Sequence, residues 1–321
     1  MDQEIMNEVV CQMMPHLSNN QLALLKNVLE GVMLKKADDS ENDDNLVESF
    51  IAAKRLEGCS ERTLTFYRNT INKMYESIDK RIKAITTEDL RGYLSGYQNS
   101  NSVSKVTIDN IRRNLSSFFS WLEDENYILK SPVRRIHRVK ASTSVKETYS
   151  DEDLEKLRDS CTEIRDLALI DILASTGMRV GELVRLNRSD IDFNERECVV
   201  FGKGDKERIV YFDARTKIHL QNYLNERSDD EEALFVSLKA PFTRLEIGGV
   251  ETRLKKLGEA LNIDKVHPHK FRRTMATTAI DKGMPIEQVQ KLLGHEKIDT
   301  TLHYAMVNQS NVKNAHRKYI G

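Results

Sequence analysis

The sequence predicts a mainly α-helical chain with one small antiparallel β-sheet, a helical N-terminal half and an α+β C-terminal half. Three observations predict it. Apolar residues recur at helical spacing over most of the 321 residues. The one clear departure is CVVFGKGDKERIVYF, residues 198–212, where two short apolar runs flank a glycine-rich tip. Five prolines and 14 glycines are too few for a loop-rich sandwich, a collagen or a disordered chain. The length favours two domains, and a composition that is 39% apolar and 31% charged can bury a core in each while keeping a charged surface.

The elements follow in order. Met6, Val9, Val10, Met13 and Met14 place a helix over 3–14, and Pro15 stops it. Ser18-Asn-Asn-Gln21 is a capping-box pattern before Leu22, Leu25, Leu29 and Val32, so residues 1–37 form a helical hairpin with an apolar stripe. Residues 38–44, DDSENDD, hold five acids in seven and are expected to be a solvated linker. Helices are then expected over 46–57, 61–78, 87–98 and 104–125, with Ser60, Thr86 and Ser104 as N-caps. Leu115, Phe118, Phe119, Trp121 and Leu122 supply bulk for that core. Residues 130–140, KSPVRRIHRVK, have five Lys or Arg and no acid, and read as a basic linker that ends a 45–140 domain. The last domain, 148–321, begins with helices over 151–159 and 164–174, ended by Gly177. The hairpin of Val199–Phe201 and Ile209–Phe212 follows. Further helices are expected at 213–226, 249–261, 271–282, 285–293, 298–305 and 308–319.

The net charge of −1 conceals a partition. Residues 1–44 carry −6, residues 45–147 carry +6 and residues 148–321 carry −1. A basic middle segment suits a polyanion partner, although a solvated face has the same composition. No apolar run approaches the length of a membrane span. The N-terminus is acidic where a secretory signal is basic. The four cysteines, Cys11, Cys59, Cys161 and Cys198, form no CxxC pair. The expectation is a cytoplasmic protein with reduced thiols and no zinc ribbon.

The chemistry-bearing residues lie in the last domain. Arg179 sits in STGMRVGEL, just past Gly177 and at the start of a helix, with Glu182 three residues on. Lys203 sits at the hairpin tip. His269 and Arg272 in PHKFR share a helix face if Pro268 opens the helix. His295 follows Gly294, a natural terminator of the preceding helix, and Tyr304 comes nine residues later. Each alone has an ordinary reading as a surface arginine, a core histidine or a core tyrosine. No carboxylate cluster of a two-metal nuclease is present, nor a Gly-x-x-x-x-Gly-Lys-Ser/Thr loop, so neither metal nor nucleotide cofactor is expected.

Taken together and in this order, these residues resemble the tyrosine recombinases, or phage-type integrases. The resemblance is specific over 170–305 and loose over 45–140. It rests on TGMRVGEL, GKGDKER, the His269-x-x-Arg272 box, Leu292-Leu293-Gly294-His295 and Tyr304. Arg273 departs from it, since many relatives carry histidine there. The resemblance implies a helical core-binding domain ahead of an α+β catalytic domain. It implies site-specific recombination through a covalent 3′-phosphotyrosine and a Holliday junction, with integration or excision of a mobile element as the expected task. Arg179 and Arg272 would bind the phosphoryl oxygens, and His295 would donate to one. His269 would take the proton of the Tyr304 nucleophile, Lys203 would protonate the leaving oxygen, and Glu182 would support the pocket. The partners implied are double-stranded DNA, a homo-tetramer formed on DNA by exchange of the 308–319 tail, and an accessory DNA-bending protein. Arg134, Arg135, Arg138 and Lys140 are expected at phosphates, with Arg112 and Arg113 as further candidates. The acidic, Met-rich hairpin of 1–37 is expected to meet a neighbouring protomer rather than DNA. Two other readings stay open. One is a type IB topoisomerase-like nicking-closing enzyme. The other is a non-catalytic regulator whose residues 284–305 form a helix-turn-helix.

Overall fold

Helices cover most of the chain, and a computed structural model describes residues 2–38, 43–140, 147–202, 206–298 and 301–302, the side chains of 2–7, 30–38 and 44 excepted. Contacts divide the chain into two units, 1–143 and 144–321. The expected helices over 298–305 and 308–319 reach beyond the described residues, and so do Lys203 and Tyr304. Among the described residues no helix is long and apolar enough to cross a membrane.

The first unit opens with α1 (Asp2–Met13) and α2 (Asn19–Asp38), which pack together. The Gln21 side chain accepts from the Ser18 N–H at 3.0 Å and from the Ser18 hydroxyl at 2.9 Å, which is the glutamine half of the capping pattern read at 18–21. Four helices follow: α3 (Asp43–Leu56), α4 (Glu61–Ser77), α5 (Thr87–Asn101) and α6 (Lys105–Asp124). Ser60, Thr86 and Ser104 each accept a backbone N–H from the third residue of the helix they precede. Phe50, Leu64, Ile71, Met74, Leu90, Leu115, Phe118, Phe119 and Leu122 are fully buried between these helices. Phe50 meets Phe118 edge-on at 5.2 Å.

Two expectations for this unit are corrected. The acidic linker of 38–44 is shorter, because α3 already starts at Asp43, whose carboxylate accepts the Ile82 N–H at 3.1 Å. A buried backbone donor needs a partner, and Asp43 supplies it. The basic stretch of 130–140 is not a free tether. Pro132–Arg135 form a 3-10 turn, Pro132 and Val133 are buried, and Ile136 and Val139 pack on the core. The Asp109 carboxylate accepts from the Val139 N–H at 3.1 Å and from Arg112 at 2.9 Å. The stretch therefore belongs to the helical unit, with its charged side chains outward.

The second unit contains α7 (Asp151–Asp159), α8 (Ile164–Thr176), the single turn α9 (Val180–Leu183), strands β1 (Ile191–Asp192), β2 (Glu197–Phe201) and β3 (Glu207–Tyr211), and α10 (Ala214–Glu226), α11 (Ile247–Ala260), α12 (Pro268–Asp281) and α13 (Ile286–Leu293). Helix α8 is central. Ala168, Leu169, Ile170, Ile172 and Leu173 are fully buried, and α10 and α12 pack against it. That is the expected place for a helix apolar on every side. The sheet is antiparallel in the order β1-β2-β3, with Val199 opposite Ile209. The fold is thus mainly α with one small antiparallel sheet. Strand β1 was not anticipated; two residues are too short for an alternation to register. Buried charge is paired: Asp166 accepts from Arg165 and Arg253, and Asp171 accepts from Arg158 and contacts His219.

Candidate active site

Three chain breaks position the site. The first ends α8. Gly177 adopts a left-handed conformation with φ 60°, which favours glycine, and a Cβ there would lie 2.3 Å from the terminal methyl of Met275, which would have to move aside. The chain turns sharply and presents Arg179 as the N-cap of α9. Glu182, three residues on, reaches back to the Arg179 N–H at 2.8 Å and holds its guanidinium at 2.9 Å. One carboxylate thereby fixes both the backbone and the side chain of Arg179.

The second break opens α12. Pro268 occupies the first turn, where its missing N–H costs nothing. The His267 N–H donates to the Tyr149 hydroxyl at 3.2 Å, and the Tyr149 ring packs on Phe271. His269 and Arg272 then fall one turn apart, as the spacing predicts. Arg272 is buried and donates to the Gly177 carbonyl at 2.7 Å and to the Leu293 carbonyl. His269 is exposed, and among the described residues its ring has no hydrogen-bond partner. Arg273, the departure from the family pattern, donates to the Glu147 carbonyl at 2.6 Å and ties the start of this unit to α12.

The third break ends α13. Gly294 is left-handed, with φ 63°, and its Cα packs on the Arg208 side chain. A helix end leaves carbonyls without partners, and here each of the last three meets a different arginine. Leu292 accepts from Arg208 at 3.1 Å, Leu293 from Arg272, and Gly294 from Arg179 at 3.4 Å. The next residue is His295. Its backbone is held on both sides by Gln290, at 3.1 Å to its N–H and 2.9 Å to its carbonyl. Its Nδ1 lies 2.9 Å from the Thr301 hydroxyl.

Arg208 is the residue the sequence reading missed. It comes from β3 and grips Glu182 with both Nη atoms, at 2.7 and 2.6 Å. A signal was present: Val210 faces inward, so Arg208, two positions earlier, must face inward too, and an arginine there needs a buried acid. The structure therefore brings together Arg179, Glu182, Arg272 and His295, with Arg208 added, and sets His269 one turn from Arg272. Arg179, Arg208 and His295, with Gly202 and Lys206, line one cleft.

The electrostatics follow from this gathering. Two guanidiniums, Arg179 and Arg208, hold the Glu182 carboxylate, and the third, Arg272, meets the same α13 end. Burial pushes the Glu182 carboxyl up, but the Arg208 fork, the Arg179 N–H and the two cations outweigh it and hold it below the usual carboxylate value. The histidines move the other way. Burial, with the charges of Arg272, Arg179 and Arg208, pushes His295 down to about 4. His269 is exposed at its rim, but the partial burial of its ring, with the charges of Arg272, Arg179 and Arg273, lowers it too. Both imidazoles are neutral near pH 7, and the surplus charge is cationic. Such a site attracts an anion and offers neutral proton acceptors and donors beside it.

Comparison with known proteins agrees. Residues 147–311 match the phage integrase family, and residues 46–129 match the phage integrase N-terminal SAM-like domain. The chain is 31% identical to tyrosine recombinase XerC of Oceanobacillus iheyensis, over 85% of this chain and 94% of that one. The fold matches that of XerH site-specific recombinase bound to its palindromic difH substrate, with TM-score 0.68 and 22% identity over 97% of this chain and 93% of that one. It also matches the Tn1549 transposon integrase in complex with a circular intermediate DNA, with TM-score 0.69 and 18% identity over 85% and 98%. The matched segments cover both units, which leaves a bare helix-turn-helix regulator without support. The chain belongs to the phage integrase family and is a tyrosine site-specific recombinase.

Proposed function

We propose that the protein cleaves and rejoins double-stranded DNA through a 3′-phosphotyrosine on Tyr304 and integrates or excises a mobile element. The observation that carries the chemistry is that Arg179 and Arg208 hold one carboxylate, while Arg179, Arg208 and Arg272 all bond the carbonyls that end α13, beside two neutral histidines. A phosphodiester under attack gains charge on its non-bridging oxygens. Arg179 and Arg272 are the donors for them, since a guanidinium presents several N–H groups in a fork that suits phosphoryl oxygens. The loss of one such donor costs on the order of 10²–10³ in rate. His269, neutral and without a hydrogen bond among the described residues, takes the phenol proton as the Tyr304 oxygen bonds to phosphorus. The 5′ oxygen leaves with a proton from Lys203. Acid–base help of this kind contributes roughly 10²–10⁴. One phosphodiester is exchanged for another, so a second DNA end can reverse the step without an external energy source.

In this reading the 45–140 segment grips DNA. Arg134, Arg135, Arg138 and Lys140 are exposed and suit phosphates, as does Arg113. Arg112 is withdrawn from that set, because its side chain is 14% exposed and bonded to Asp109. The α1–α2 hairpin exposes Met13, Met14, Leu24 and Val28, which suits contact with a neighbouring protomer. The 308–319 tail passes into the adjacent protomer and closes a tetramer on two duplexes. An accessory DNA-bending protein would bring distant sites together.

A second reading, a chromosomal dimer resolvase, is favoured by the higher identity to XerC than to the transposon integrase. The experiment has two parts. Incubation with a duplex that the protein selects from a random-sequence pool, followed by denaturing electrophoresis, should show a covalent DNA adduct. Mapping adduct ends in the source cell should place them at the termini of an element. A single chromosomal site without element ends supports the resolvase, and no adduct removes the proposed chemistry.

A further inference from the structure

Both oxygens of Glu182 are fully occupied. A carboxylate offers about four lone-pair positions. One oxygen accepts from Arg179 Nη1 at 2.9 Å and from Arg208 Nη1 at 2.7 Å. The other accepts from the Arg179 backbone N–H at 2.8 Å and from Arg208 Nη2 at 2.6 Å. Arg208 thus commits its whole fork to the carboxylate, whereas the Arg179 guanidinium commits one nitrogen to it. The remaining nitrogen of Arg208, Nε, donates to the Leu292 carbonyl at 3.1 Å. Its stem packs under Gly294, where a Cβ would lie 2.9 Å from the Arg208 Cδ. Strand β3, the α9 turn and the end of α13 are joined through this one side chain.

Charge decides what this arrangement does. Arg179 and Glu182 alone would form a neutral pair. An anion arriving at Arg179 would then meet the repulsion of the carboxylate together with the attraction of the guanidinium. Adding Arg208 leaves the group with one net positive charge. The exposures say where that surplus is felt. The side chains of Glu182 and Arg208 are 4% and 11% exposed, that of Arg179 is 37%, and Arg179 lines the cleft. Arg208 borders the cleft too, but each of its three nitrogens already bonds a protein acceptor. Without the Arg208 fork, a buried acid would keep vacant lone pairs beside a single cation and would draw the Arg179 guanidinium onto itself. With the fork in place, Glu182 orients Arg179 without cancelling it.

We propose that Arg208 is a positioning residue that occupies and neutralises Glu182, so that Arg179 keeps its charge and its orientation for the scissile phosphoryl group. The role at the phosphoryl group rests on the recombinase chemistry proposed above; the balance of charge between Arg208 and Glu182 does not. The test compares full-length wild type, Arg208→Met, Glu182→Gln and the double variant, each well below its own melting temperature. The first readout is the single-turnover rate of covalent adduct formation with the selected duplex. Arg208→Met keeps the stem without the fork and should slow the step by roughly 10–100-fold, the usual effect of losing an orienting partner. Duplex affinity should change far less. With Glu182→Gln there is no acid left to neutralise, so adding Arg208→Met should leave the rate within about twofold of Glu182→Gln alone. Arg208→Lys should recover only part of the rate, because an ammonium cannot make the fork. An unchanged rate in Arg208→Met overturns the proposal. Equal losses in both backgrounds also overturn it, since Arg208 would then act on the DNA or on the fold rather than through Glu182. If Arg208→Met fails to fold, Arg208→Lys takes its place in both backgrounds.

The second readout needs no cleavage. Inorganic phosphate is titrated into nitrogen-15-labelled protein, and the side-chain signal of Arg179, assigned with Arg179→Lys, is followed. Arg208→Met should weaken phosphate binding several-fold, and the double variant should restore it. No response of Arg179 to phosphate, or equal affinity in wild type and Arg208→Met, overturns the proposal. No adduct with any protein overturns the recombinase chemistry, while the phosphate titration still decides the role of Arg208.

Discussion

Replacing Arg208 by alanine leaves Glu182 in the protein interior with half of its support. The Glu182 side chain is 4% exposed and that of Arg208 11%, so water cannot take over the lost bonds. Two forked bonds to the carboxylate vanish, and so does the bond to the Leu292 carbonyl. Glu182 keeps the Arg179 N–H and one Arg179 nitrogen. Removing one partner of a buried ion pair costs about 3–5 kcal/mol, and the surviving donors place this case at the lower end, about 3 kcal/mol. At about 2–4 °C per kcal/mol for a unit of this size, Tm should fall by roughly 6–12 °C. The pH dependence is a second mark. Glu182 is held below the usual carboxylate value when folded, so its stabilisation is present above that value and lost as pH falls through the lowered one. Without Arg208, burial dominates, the folded pKa rises, and the loss on acidification begins at a higher pH. The assay is thermal melting of wild type, Arg208→Ala, Glu182→Gln and the double variant. Arg208→Lys should recover only part of the loss, because an ammonium cannot make the fork. A fall in Tm below about 2 °C, or strict additivity of the two substitutions, would refute the reasoning.

The other predictions follow from the same contacts. His295 is pushed down to about 4, so the unfolded chain binds its proton first; stability should fall as pH drops from the ordinary histidine value toward 4, and His295→Asn should flatten that slope in pH-dependent melts. Alanine at Arg134, Arg135, Arg138 and Lys140 together should reduce the slope of log K against log salt by about 3.6, at about 0.9 per phosphate contact, whereas Arg112→Ala should lower Tm and leave the slope unchanged. Deletion of residues 1–38, which spares the Asp43–Ile82 bond, or truncation after Ser310, should impair assembly of two sites more than binding to one, as read by native gel shift.

The positions where sequence reading succeeded share a cause: local chemistry fixes them. Ser60, Thr86 and Ser104 satisfy helix ends within three residues of themselves. Gly177, Pro268 and Gly294 mark the three breaks that carry Arg179, His269 with Arg272, and His295, so where those side chains sit in the fold was readable from punctuation, while their roles came from the family resemblance. What escaped depends on distant partners. Arg208 meets Glu182 across 26 residues of chain and looked like one more cation in a basic hairpin. The 130–140 stretch looked like a tether because its charge hid the period of Val133, Ile136 and Val139, which pack on a core assembled from all four helices. Asp43 was lost in an acidic run, and only its partner, 39 residues on, shows that it opens a helix. Thr301 is one of several threonines in the sequence; its burial against His295 is a tertiary fact.

The covalent link itself tests the central claim most directly. After incubation with the selected duplex, the denatured protein can be digested with trypsin and the DNA-bearing peptide identified by mass spectrometry. The account predicts that DNA is attached through its 3′ end to Tyr304, and that Tyr304→Phe binds the duplex but yields no such peptide. DNA attached to a different residue, or through its 5′ end, or an adduct that persists in the phenylalanine variant, would contradict it.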